Sequence, residues 1–101
     1  MKPDTYIQWL TKQIFKMLPM SDTAEDIETS HLKEFIQSIA VQIDGSFTTF
    51  SEFADNPEYV AVANVIHYWN SKDIDIPLFK KEIISALSLL NKIESEDDSI
   101  E

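Results

Sequence analysis

Asn56-Pro-Glu-Tyr-Val-Ala-Val-Ala-Asn-Val-Ile-His-Tyr-Trp-Asn70 is the stretch whose reading decides the fold. Asn56 has the short polar side chain of a helix N-cap, and Pro57 suits the first helical position, where its missing N–H costs nothing. Glu58 then stands in the first turn, against the positive end of the helix dipole. Val62, Val65, Ile66 and Trp69 form one apolar stripe, widened by Val60 and Ala63. A helix with so little polar surface is expected at the centre of a bundle, with neighbours on more than one side.

Working outward, residues Asp4 to about Leu18 carry Ile7, Leu10, Ile14 and Leu18 down one face and predict a first helix ended by Pro19. Met20 to Ser30 reads as an acidic surface connection with room for a short helical turn. A second helix is predicted from Ser30, or from a cap at Thr29, through Leu32, Phe35, Ile36, Ile39, Ala40 and Ile43, with Gly45 closing it in the left-handed C′ position. Its rival is a β-hairpin over Ile39–Phe50 turning at Asp44-Gly45. The helical spacing continues through Ile43, which favours the helix. Phe47, Phe50 and Phe53 recur every three residues, and Thr49 with Glu52 has capping-box spacing, so a short extra helix is expected there. Pro77 opens the last helix, whose stripe is Phe79, Ile83, Ala86, Leu87 and Leu90. The expectation is an all-α, compact single-domain bundle of four main helices plus a short extra one over residues 1–93. The polar segment 94–101 is expected to be a disordered acidic tail.

Composition narrows function by exclusion. The chain has 101 residues, 44% of them hydrophobic, enough for one core that buries roughly 60–65% of the unfolded surface. It contains no cysteine, which removes disulfides and thiolate chemistry. A single glycine, Gly45, leaves no material for a phosphate-cradling loop. All eight positive charges are lysines, and the net charge is −10, so nucleic-acid binding, which depends on neutralising phosphates, is not expected. No apolar run reaches the about 20 residues of a membrane span, and Asp4, Lys12 and Lys16 interrupt any signal-peptide core. The expected setting is cytoplasmic.

The charge is unevenly placed. Residues 1–16 balance to +2 and residues 72–93 to +1, whereas residues 17–71 hold nine acids against Lys33 and residues 94–101 add −5. A middle so short of cations turns its carboxylates towards solvent or towards a cationic partner, whose approach the field would speed. The aromatic residues of the same region, with Glu52, Asp55 and Glu58 among them, suggest an interface of aromatic anchors beside carboxylates. The expected contact set is therefore Glu52, Asp55, Glu58, Tyr59 and Tyr68, with Asp22, Glu25, Asp26 and Glu28 as a second acidic patch.

Catalytic alternatives find less support. His67 lacks a specific nucleophile or acid in sequence, and His31 carries no better signal. The two histidines have no metal-ligand spacing. Asp73 and Asp75 begin like a calcium loop, but Pro77 and Ile84 stand where ligands belong. No catalytic, cofactor or metal residue is assigned. The functional expectation is a small acidic, non-enzymatic binding protein that occludes a basic protein surface such as a toxin or nuclease, as immunity proteins, antitoxins and inhibitors of this size and charge do. The competing expectation is a self-associating adaptor or structural domain, in which surplus apolar helix surface forms a homodimer.

Overall fold

The computed structural model describes the backbone of residues 2–22 and 26–99 and the side chains of residues 2–21 and 30–94. Four α-helices follow one another: α1 (Pro3–Asp22), α2 (Asp26–Thr49), α3 (Pro57–Ser71) and α4 (Ile76–Ser99), with a 3₁₀ turn over Ser51–Asp55 between α2 and α3. Among the described residues there is no strand, so the hairpin alternative for residues 39–50 does not form.

α1 packs on α4, α4 on α3 and α3 on α2, while the α1–α2 contact that closes the ring is the slightest. Ile7 and Ile93 line one groove, which sets α1 and α4 antiparallel. The core draws Ile7, Leu10, Ile14 and Met17 from α1 and Leu32, Ile36, Ile39 and Ile43 from α2. It takes Val62, Ile66 and Trp69 from α3, and Phe79, Ile83, Ala86 and Leu90 from α4. The expectation that α3 is central holds: its stripe is buried, with Val65 half-buried at the edge. Asn56 caps it as anticipated, its Oδ1 accepting from the Tyr59 amide at 3.0 Å, and Pro57 follows at the first position.

Several boundaries differ from the sequence expectation, each for a physical reason. Pro19 lies inside α1 and does not end it. It removes one hydrogen bond near the helix end, but Met17 before it and Ser21 after it are buried, and Ser21 donates to the Leu18 carbonyl at 2.7 Å, which keeps the last turn wound. α2 starts at Asp26, so Thr29 and Ser30 lie within the helix and not at its N-cap position. Gly45 does not terminate α2 and has no positive φ; it is a helix-interior glycine with open space where a Cβ would stand. The Thr49–Glu52 capping box is absent, because Thr49 is the last residue of α2 and its hydroxyl donates back to the Gly45 carbonyl at 3.3 Å. α4 begins at Ile76, where the Asp75 carbonyl accepts from the Phe79 amide at 2.7 Å. Its backbone stays helical to Ser99, beyond Ile93 and into the acidic segment expected to lack structure.

Lys33, the lone cation of the acidic middle, stands off the apolar stripe of α2, where spacing alone predicts an exposed side chain. Its Nζ instead donates to the carbonyls of Trp69 (2.8 Å), Asn70 (3.1 Å) and Lys72 (2.6 Å). One ammonium thus satisfies the orphan carbonyls at the C-terminus of α3, where the dipole is negative. α3 is thereby capped at one end by its own sequence and at the other by α2.

Candidate functional site

The surface of interest lies where the N-termini of α1 and α3 meet the 3₁₀ turn. Asp4, Glu52, Asp55 and Glu58 line a groove of about 450 Å³, with Ile7, Phe53 and Ile93 among its apolar walls. Each carboxylate has a local reason to be there. Asp4 and Glu58 stand in the first turns of α1 and α3, and Glu52 in the first turn of the 3₁₀ helix, all favourable against a helix N-terminus. Convergence of these termini, with Asp55 between the last two, turns four local choices into one acidic surface. None of the residues lining the groove is basic. Lys92 reaches across from α4 and pairs with Glu58 at 3.0 Å. Its hydrogen bond, with one from the backbone at Glu58, holds that carboxyl below the usual glutamate range.

The structure therefore brings together Glu52, Asp55 and Glu58 of the expected contact set and adds Asp4, which sequence reasoning missed. Nothing in a linear reading links Asp4 to residues 48 or more positions away; its only signal was a first-turn acid on α1. Tyr68 is exposed, as expected for a contact residue, but ten residues along α3 from Glu58, about 15 Å at helical rise. Asp22, Glu25, Asp26 and Glu28 lie outside the described side chains.

Tyr59 requires a correction. It is completely buried and cannot touch a partner. Its ring stacks on Phe53 (4.3 Å between centroids) and meets Phe47 edge-on at 5.3 Å, with Tyr6 beside it at 6.4 Å. Its hydroxyl lies 2.5 Å from Ser46 Oγ and donates to Tyr6 Oη at 3.2 Å. The chain of hydroxyls runs from Ser46 through Tyr59 and Tyr6 to the Gln42 carbonyl, which accepts from Tyr6 at 3.4 Å; the Ile43 carbonyl, 2.5 Å from Ser46 Oγ, is the alternative acceptor for the Ser46 proton. Burial pushes the Tyr59 phenol well above the ordinary tyrosine value. The reason for the inward turn is positional: Tyr59 is one turn before Val62 and Ala63, on the buried stripe of α3. Phe50, Phe53 and Trp69 are core residues too, with Trp69 donating from its indole N–H to Glu82 Oε1 at 2.9 Å.

His67 Nε2 and Asp44 Oδ1 are 2.7 Å apart on the outer faces of α3 and α2, with both side chains exposed. The pair ties two helices together at the surface. Among the described residues, no group of three or more His, Cys, Asp or Glu side chains is placed to hold a metal ion, and no helix is long and apolar enough to cross a membrane. The chain matches no protein-family model, no curated protein and no solved structure.

Proposed function

We propose that the protein is a non-enzymatic binding protein that occludes a basic surface of another protein with the acidic groove at the α1, 3₁₀ and α3 termini. The observation that carries this reading is the convergence of Asp4, Glu52, Asp55 and Glu58 on one groove with no basic lining residue. A lysine or arginine side chain entering it would meet carboxylates on several sides and apolar walls for its methylene stem. The reading is supported by the Lys92–Glu58 pair at 3.0 Å, a lysine held by one of these carboxylates within the chain.

The test is retention of a partner from native lysate by immobilised wild type and by an Asp4→Lys, Glu52→Lys, Asp55→Lys variant, with circular dichroism as the check on folding. The expected result is capture by the wild type of a protein with a basic surface, released by raising salt and not retained by the folded variant. Equal retention by both proteins, or retention indifferent to ionic strength, overturns the assignment.

A further inference from the structure

The lysines that the acidic middle lacks are carried by α1 and α4. Residues 5–21 of α1 contain no carboxylate, and residues 76–93 of α4 contain only Glu82, which is turned towards α3 and bonded to Trp69. The same two segments carry Lys12, Lys16, Lys80, Lys81 and Lys92. In a chain of net charge −10, five lysines against one glutamate in these two segments locally invert the balance of charge.

The two segments also expose apolar side chains. Phe15 is 60% and Ile84 56% exposed, both large hydrophobic residues left in solvent. Helical register puts them together. Counting from the end where Ile7 meets Ile93, Phe15 is eight residues along α1 and Ile84 nine along α4, about 12 and 14 Å in the same direction. The α2-facing side of α1 is marked by Tyr6 and Trp9, and the α3-facing side of α4 by Glu82 and Lys92. The opposite flanks carry Phe15 and Leu18 on α1, and Ile84 and Leu87 on α4. Leu18 and Leu87 are half-buried, packed against the core beneath them. The outer seam of two antiparallel helices is thus an apolar strip with exposed Lys12, Lys16 and Lys81 about it.

We propose that this α1–α4 seam seats an acidic amphipathic helix of a partner protein, its apolar residues lying over Phe15, Leu18, Ile84 and Leu87 and its carboxylates on the flanking lysines. A seam between two packed helices is the groove into which the ridge of a third helix fits. The charge pattern selects the occupant. A second copy docked on this face by two-fold symmetry would set lysines against lysines. An anionic bilayer would extend beyond the strip and bring the acidic remainder of the molecule against itself. A single helix lies within a screening length, about 8 Å at physiological salt, of the lysines alone.

The site is distinct from the acidic groove, and its failure leaves that proposal standing. The probe is a helical peptide of about 18 residues with leucines at i, i+3, i+4 and i+7 spacing and glutamates along both flanks. A twin peptide has lysine in place of every glutamate. Fluorescence anisotropy against the full chain should show the glutamate peptide binding at least about tenfold tighter than the lysine twin, with affinity falling as salt rises. Phe15→Glu, Ile84→Glu and the pair Lys12→Glu, Lys16→Glu should each abolish the preference while the helical circular dichroism is retained. Equal binding of the two peptides, or none, overturns the proposal. So does a concentration-dependent dimer that Phe15→Glu dissolves, or adsorption to anionic vesicles without binding of the glutamate peptide.

Discussion

The hydroxyl of Tyr59 is held by groups 13 and 53 residues away in sequence, Ser46 and Tyr6, and it makes two testable demands on the fold. Tyr59→Phe removes the middle member of the chain and should cost about 1 kcal/mol in a denaturant melt, since Ser46 and Tyr6 keep their backbone acceptors. The pH dependence follows from burial. The phenol ionises later in the folded protein than in the unfolded chain, so its contribution is intact below about pH 10 and is lost as pH rises through the folded value. Wild type should therefore lose stability on the alkaline side more steeply than Tyr59→Phe, measured as the denaturation midpoint at successive pH values. Parallel curves would show that the phenol's burial is not felt. Lys33 makes an equally specific demand. Lys33→Met preserves its stem but leaves the carbonyls of Trp69, Asn70 and Lys72 without their donor. A loss of about 1–2 kcal/mol is expected, with faster amide exchange confined first to the end of α3.

At the scale of the element, α2 shows why some signals were legible and others not. The start of α3 could be read from Asn56 and Pro57 because a cap and a first-turn proline act within one turn of chain. The apolar spacing of α2 was equally plain, since its core positions repeat every three or four residues. Gly45, Thr49 and Pro19 were misread because each is a stop or start signal only when nothing distant contradicts it. The buried Ser46 and half-buried Phe47 hold α2 helical past Gly45, and buried Ser21 does the same for α1 past Pro19. The candidate groove was half-visible for the same reason: Glu52, Asp55 and Glu58 are neighbours in sequence, while Asp4 and Lys92 arrive by tertiary contact. Gly45 carries the prediction proper to this scale. It is exposed, helical and surrounded by empty space, so Gly45→Ala adds helix propensity without a clash. A gain of about 0.5–1 kcal/mol is expected, or a rise of a few degrees in Tm. A loss of stability on that substitution would mean that α2 is bent or opened at Gly45 in solution.

For the whole molecule, the governing quantity is the distribution of a net charge of −10 over a body whose principal extents are 46 × 24 × 20 Å. Residues 30–71, which form most of α2, the 3₁₀ turn and α3, hold five acids against Lys33, and that lysine is engaged as a helix cap. The acidic groove therefore repels itself: Lys92 offsets Glu58, while Lys12, Lys16, Lys80 and Lys81 stand farther along α1 and α4. Two opposed salt effects follow. Screening weakens exposed pairs such as Lys92–Glu58 and, when its ring is charged, His67–Asp44, which contribute little because their charges remain partly in water. Screening also removes the repulsion among carboxylates, a sum over many pairs. The repulsive sum should win, so Tm is expected to rise between about 10 mM and about 500 mM sodium chloride, most of the gain coming before the screening length falls below about 8 Å. The Asp4→Lys, Glu52→Lys, Asp55→Lys variant changes the charge by +6, from −10 to −4, and should show a smaller rise than the wild type. If Tm falls with salt in the wild type, the local pairs dominate and the groove is not a repulsive surface. If it rises equally in both proteins, the repulsion resides elsewhere than in the groove. A rise in the wild type that shrinks in the variant locates the repulsion at the surface proposed to meet a basic partner, where binding would relieve it.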